Sequence, residues 1–249
     1  MSLSNPKLPP KKIGNYQLGE LIGKGAIGWV YKGMNTENGS MVAIKQISLQ
    51  NVKADQRSSI QSEINLLKRL KHENIVKYVD SFQTETHLNI VLEYIESGSL
   101  ALLNKKFGPF QESLVAVYIK QVLQGMILFI SYFLFFIIIQ GLDYLHKQGV
   151  VHRDIKGGNI LTTKNGTVKL ADFGVALSLT EETKSPTFVG TPYWMAPEVI
   201  EMRSHISTAC DIWSLACTVI ELLTGNPPYY DLNQYSALCR IVEDEYNSL

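Results

Sequence analysis

The sequence predicts an α+β chain in which a small, strand-rich lobe precedes a larger, mainly helical one. Three observations carry that expectation. Apolar and polar residues alternate between Tyr16 and Leu49, the pattern of half-buried strands. Residues 55–70 change to a helical period, and from Gln111 onward helical spacing dominates.

The elements follow in order. "MSLSNPKLPPKK" has prolines and lysines where a signal peptide needs an apolar stretch, so residues 1–15 read as a flexible tail. "YQLGELIGKGAIGWVYKGMN" and "GSMVAIKQISL" alternate, with the turn cluster "NTENG" between them, which predicts a twisted antiparallel sheet. "DQRSSIQSEINLLKRL" places Ile60, Ile64, Leu67 and Leu70 on one helical face with Glu63 at its edge. "HLNIVLEYI" reads as a buried strand. Loops near "HRDIKGGN" and "ADFG" interrupt the helical part, and there is no repeat or low-complexity linker. The expected division is 16–95 for the first lobe and 96–249 for the second.

Bulk properties exclude some functions. With 249 residues, 45% of them hydrophobic and 18% charged, the chain can bury a large core. Twenty-three basic residues balance twenty-three acidic ones, so no nucleic acid or anionic membrane is expected as the main partner. Cys210, Cys217 and Cys239 show no CxxC pairing and no nearby histidine at metal-ligand spacing. They read as ordinary thiols of a reduced, cytoplasmic protein rather than as zinc ligands.

The first chemical signal is "IGKGAIGWV", a GxGxxGxV pattern in which Gly23, Gly25 and Gly28 let the backbone approach a triphosphate and Val30 can cover an adenine. Alone it is a weak signal, since a glycine-rich hairpin with no ligand carries the same pattern. A dinucleotide fingerprint would need a helix straight after the glycines, where "WVYKG" continues as strand. "VAIK" then puts Lys45 on the next strand, with Glu63 on the following helix as its potential partner. "HRDIKGGN" supplies Asp154 and Asn159, "DFG" supplies Asp172, and "GTPYWMAPE" closes the series. A base for a hydroxyl proton, an amide oxygen and a carboxylate for magnesium are the groups that in-line phosphoryl transfer needs.

With these motifs in this order, the sequence resembles the eukaryotic protein kinase family over roughly residues 16–241. The resemblance implies the two-lobed protein kinase fold, use of ATP and Mg2+, and a protein substrate, with a downstream kinase as one candidate. It implies that Ile22, Gly23, Lys24, Gly25, Ala26, Ile27, Gly28 and Val30 cover the nucleotide. Lys45 paired with Glu63 would hold the phosphates. Asp154 would be the base, Lys156 would lie beside the transferring phosphate, and Asn159 and Asp172 would be the metal ligands. Leu92 would guard the back of the adenine site, the backbone of Glu93 and Ile95 would bond the base, and Leu161 would form its floor with Ala43 above. Lys156 two residues after Asp154, and Thr191 in "GTPYW", resemble the serine/threonine subclass. "LIGKGAIGWVYKG", "ENIVKY", "KFGPFQESLVAVYIKQVLQG" and "GTPYWMAPEVIE" are similar to the epsilon class of plant MAP kinase kinase kinases and the related septation kinases. That class implies signalling in a MAP-kinase-type cascade. Thr183, Ser185 and Thr187 fall on the expected activation segment, with Arg153 as the cation a phosphate there would meet.

Three departures accompany the resemblance. Ile27 replaces a common aromatic tip. The chain stops at "RIVEDEYNSL", so the expected helical lobe is incomplete. Finally "QGMILFISYFLFFIIIQG" inserts residues 126–141 where the family leads straight into a segment like "LDYLHKQGVVHRD". Sixteen extra residues would rotate a continuous helix by roughly 160° and extend it by about 24 Å, so the run must bulge or break the helix. As a membrane span it is short, about 22 Å against a hydrocarbon core of about 30 Å, and it would separate Lys45 from Asp154. A retained intron in a mis-spliced transcript also accounts for it, since Gly125 and Met126 can encode a donor and Gln140 and Gly141 an acceptor. An inactive, truncated kinase-like binding protein is therefore the alternative to an active kinase.

Overall fold

The computed structural model describes residues 11–24, 28–50, 54–122, 141–174, 176–178, 190–202 and 207–244. The tail before Lys11, the glycine-loop positions Gly25, Ala26 and Ile27, the run 126–140 and the hydroxyls Thr183, Ser185 and Thr187 lie outside the described residues. The chain divides into two compact units, residues 1–70 with 76–95, and residues 71–75 with 96–249.

The first unit is an antiparallel sheet with one helix. Its strands are β1 (Lys12–Ile13), β2 (Tyr16–Lys24), β3 (Trp29–Asn35), β4 (Met41–Ser48), β5 (Tyr78–Gln83) and β6 (His87–Glu93), and the helix is α1 (Ala54–Arg69). The strand order is β1-β2-β3-β4-β6-β5, so the two alternating stretches form the neighbouring strands β2, β3 and β4, and β6 docks on β4. The "NTENG" turn is fixed locally: Asn35 and Asn38 accept the amides of Glu37 and Ser40 at 2.8 and 2.9 Å, and Gly39 takes a φ of +73°. Ile13, Tyr16, Leu18, Val42, Ile44 and Val91 form a buried cluster with Tyr31 and Phe82 packed on it. On α1 the expected face is the buried one, with Ile60, Ile64 and Leu67 all nearly inaccessible. β5 was not expected from the sequence, because "YVDSFQ" carries only a weak alternation.

The second unit contains α2 (Leu100–Phe107), α3 (Glu112–Val122), α4 (Gly141–Lys147), α5 (Pro197–Ile200), α6 (Ala209–Thr224) and α7 (Gln234–Glu243). Four short strands complete it: β7 (Val150–Val151) pairs with β10 (Leu177–Ser178), and β8 (Ile160–Thr162) pairs with β9 (Val168–Leu170). Strands of two or three residues are too short to show alternation, which is why the sequence presented these stretches as loops. Residues 71–75 belong here because Asn74 binds β9: its carbonyl accepts from Leu170 N at 2.8 Å and its Nδ2 donates to Val168 O at 2.7 Å.

Helix α6 is the scaffold of this unit. Cys210, Asp211, Ser214, Leu215, Cys217, Thr218, Glu221 and Leu222 along it are all buried, and its end is capped by Gly225 in the left-handed region. Leu142 and Leu145 of α4 are fully buried, so the "LDYLH" segment reaches the core on the far side of the apolar run. No helix of the described residues is long and apolar enough to cross a membrane.

Candidate active site

In the first unit, strand register gathers several of the expected nucleotide-binding residues. Gly23 on β2 pairs with Val30 on β3, and Val30 pairs with Lys45 on β4, so the three form a row across the sheet. Beside that row, Ala43 pairs with Leu92 of β6. Gly28 approaches β4 so closely that a Cβ there would lie 2.3 Å from Gln46 O, a contact only glycine permits. Lys45 Nζ lies 2.8 Å from Glu63 Oε1, and both side chains are buried, at 8% and 4% exposure. A buried ammonium is stable only when paired, so this bond ties α1 to β4.

Other expected residues are less enclosed. Ile22 is exposed at the end of β2 with Lys24 beside it, where the Lys24 ammonium stands 5.0 Å from the Trp29 ring. Glu93 commits its amide to Lys77 O at 2.9 Å. Ile95 is buried and Leu92 half-buried.

In the second unit, three side chains converge on Asp154. Oδ2 accepts from Lys156 Nζ and from Asn159 Nδ2, each at 2.8 Å, and Oδ1 accepts from Thr191 Oγ1 at 2.5 Å. Lys156 also donates to Thr191 Oγ1 at 2.6 Å. Because Asn159 donates a second time to Asp154 O, its amide nitrogen is committed on the Asp154 side and its Oδ1 is left to act as a ligand. Asp172 follows Ala171, whose amide donates to Asn159 O at 2.9 Å, so the two expected metal residues are tied through the main chain. An amide oxygen and a carboxylate are hard donors suited to magnesium. Among the described residues, no cluster of three or more His, Cys, Asp or Glu forms a further metal site. Leu161 sits half-buried on β8.

The backbone under this site is constrained. Arg153 and Asp172 both adopt positive φ, 65° and 62°, a conformation that persists only where the surroundings hold it. Asp211, fully buried on α6, accepts from His152 N at 2.9 Å, from Arg153 N at 2.8 Å and from His146 Nε2 at 2.8 Å. The His152 ring bridges the two motifs. Its Nε2 donates to Ala171 O at 3.2 Å, which leaves Nδ1 to accept from Asp154 N at 3.3 Å, and Phe173 packs on its face. Burial lowers the pKa of the Arg153 guanidinium. Burial also pushes the Cys210 and Cys217 thiols up to about 12.

Sequence reading missed Asp211, Glu221 and His152 as parts of this site. The available signal was a carboxylate at each end of the otherwise apolar α6, where a charge is expensive to bury unless it accepts hydrogen bonds.

A sheet lobe with a strand lysine bonded to a helix glutamate, and a helical lobe presenting an Asp, Lys and Asn loop, is the arrangement of a protein kinase. The family model described as the protein kinase domain matches residues 16–247, and the chain belongs to that family. Among relatives, the chain is 60% identical over 233 residues to MAP3K epsilon protein kinase 1 of Arabidopsis thaliana, which covers 92% of this chain and 16% of that protein. It is 54% identical to cell division control protein 7 of Schizosaccharomyces pombe, covering 93% of this chain and 20% of that protein. Against the cytokinesis protein sepH of Aspergillus niger the identity is 52%, covering 96% and 16%. The chain thus spans only about a sixth to a fifth of the length of these relatives.

Proposed function

We propose that the chain catalyses transfer of the γ-phosphate of ATP to a serine or threonine hydroxyl of a protein. The observation that carries this reading is the set of donors on Asp154. One carboxylate accepts from Lys156, Asn159 and the hydroxyl of Thr191, and a hydroxyl on Oδ1 is the type of group that a substrate serine or threonine would bring.

Each residue then has a defined task. Asp154 orients the incoming hydroxyl and accepts its proton as the oxygen attacks phosphorus. Lys156 carries positive charge beside that oxygen, and Thr191 keeps Lys156 and Asp154 in register. Lys45, oriented by Glu63, holds the α- and β-phosphates, while Gly23, Gly28 and Val30 provide a backbone and an apolar surface over the nucleotide. Asn159 Oδ1 and the Asp172 carboxylate would hold magnesium, which supplies charge neutralisation along the phosphates when bound. The names of the relatives, a MAP3K and two proteins of cell division and cytokinesis, support a place in a signalling cascade with a protein, such as a further kinase, as substrate. The free thiols of Cys210, Cys217 and Cys239 support a reducing, cytoplasmic setting.

The test is phosphoamino-acid analysis of a protein substrate incubated with the chain, magnesium and γ-labelled ATP. Label on serine and threonine is expected. Label confined to tyrosine, or release of free phosphate alone, would overturn the assignment.

A further inference from the structure

The glycine-loop positions 25–27 join two strand ends that are held in different ways. On the β3 side, Gly28 lies against β4, where a Cβ would stand 2.3 Å from Gln46 O. On the β2 side the ladder is irregular. Its register against β3 shifts twice, between Leu18 and Leu21 and again between Leu21 and Gly23. Two rungs follow the second shift, Gly23 with Val30 and Lys24 with Trp29. Gly23 brings no side chain to its rung, so Lys24 and Trp29 are the side-chain pair that closes the hairpin.

That pair is in contact. The Lys24 ammonium stands 5.0 Å from the centre of the Trp29 ring, within reach of a cation–π interaction. Among the described residues no carboxylate lies within ion-pair distance of Lys24, so the ring is the partner its charge has found. Trp29 is 45% exposed, too open for a core side chain. Side chains alternate faces along a strand, so Lys24 and Trp29 lie on the face opposite to Val30 and Lys45, which share a rung. A nucleotide on the Val30 face feels this pair only through the backbone of the hairpin.

We propose that Trp29 is a positioning residue for nucleotide binding: by seating the Lys24 ammonium on its ring, it latches the last rung of the β2–β3 hairpin and fixes where Gly23 and Val30 cover the nucleotide. The proposal rests on the kinase reading of that hairpin and deepens it by naming what holds its turn end together. A hairpin ordered in advance loses less freedom when the ligand arrives, so the worth of the pair appears in nucleotide affinity rather than in the chemical step.

The experiment compares the full chain with Trp29→Leu, Trp29→Tyr, Lys24→Gln and the double variant Trp29→Leu/Lys24→Gln. It measures the Kd for a non-hydrolysable ATP analogue with magnesium, kcat at saturating ATP, amide exchange over residues 28–31 without nucleotide, and the melting temperature. Trp29→Leu, which keeps an apolar side chain without a ring face, is expected to weaken the analogue by about two- to fivefold, the worth of an exposed cation–π pair, with kcat within about 1.5-fold of wild type. Exchange over residues 28–31 should speed by the same factor. Trp29→Tyr retains a ring that holds a cation less well than indole, so its Kd should fall between the two. Lys24→Gln should weaken binding as Trp29→Leu does, and the double variant should be no worse than either single one, since the two side chains act as one unit.

Wild-type Kd and exchange in Trp29→Leu would overturn the proposal. So would additive losses in the double variant, which would make Lys24 and Trp29 independent, and so would a loss of binding that tracks a fall in melting temperature, the behaviour of a merely structural side chain. If Trp29→Leu does not fold, Trp29→Tyr and Lys24→Gln decide by the same readouts. Failure of the wild-type chain to bind the analogue would instead defeat the kinase reading. In that case the exchange arm still judges the latch, since unchanged exchange over residues 28–31 in Trp29→Leu rules it out.

Discussion

In the first unit, Lys45 is oriented by a side-chain ion pair that ties β4 to α1. In the second, Asp154 sits in a web of side-chain donors, and the backbone on either side of it hangs from Asp211 and Glu221 of a single buried helix. The difference is between a contact that a small shift of one element can make or break and a loop held by main-chain bonds. The strained φ values of Arg153 and Asp172 occur in the second region, where the surroundings can maintain them. Removing one partner in the first unit therefore strands a single buried charge, whereas changes under the catalytic loop strand buried main-chain amides, and both should alter activity and stability.

The largest expected effect breaks the first region. Lys45→Met, which keeps an apolar stem but removes the cation, should lower kcat/KM by about a thousandfold, and because it leaves the buried Glu63 carboxylate without its partner the melting temperature should fall by about 6–20 °C. Steady-state kinetics paired with a thermal melt checks both halves of that statement. Breaking the second region strands main-chain amides instead. Asp211→Asn leaves one acceptor oxygen where a carboxylate now serves three donors. An unsatisfied buried donor costs about 1–3 kcal/mol, so the melting temperature should fall by about 2–12 °C together with activity.

Two smaller effects sharpen the comparison. Burial is the main cause that raises the Glu221 pKa, opposed by the bonds from Gly157 and Trp194 and by the charge of Lys156. A carboxyl raised in the folded state binds protons more tightly there than in the unfolded chain. Its contribution is thus fully present below the ordinary carboxylate pKa and is lost as pH rises through the folded one. Glu221→Gln removes that titration, so its melting temperature relative to wild type should be higher at about pH 8 than at about pH 4. The smallest effect concerns the thiols. With Cys210 and Cys217 buried and pushed up to about 12, an alkylating reagent near neutral pH should modify the half-buried Cys239 first, as peptide mass mapping would show.

Much of the candidate site was legible because its motifs are short and local. The spacing of Asp154, Lys156 and Asn159 reflects contacts within a single loop, and Lys45 and Glu63 each stand on an element whose periodicity is plain. What supports those residues was not legible. The bonds from Arg153 N to Asp211 and from Gly157 N to Glu221 span 58 and 64 residues, and no periodic pattern links a helix carboxylate to a distant loop amide. The sheet was legible where strands run seven to nine residues, as in β2, β3, β4 and β6. It was not legible in β7 and β10, which are two residues each and are set by tertiary pairing.

The central claim is that Asp154 accepts the proton of a substrate hydroxyl, and the most direct measurement is single-turnover transfer from γ-labelled ATP by wild type and Asp154→Ala side by side. The account predicts label on serine or threonine with wild type. With Asp154→Ala it predicts a rate lower by about a hundred- to ten-thousandfold and nearly unchanged ATP affinity, since general-base removal acts on the chemical step. Transfer by Asp154→Ala within about tenfold of wild type would contradict it.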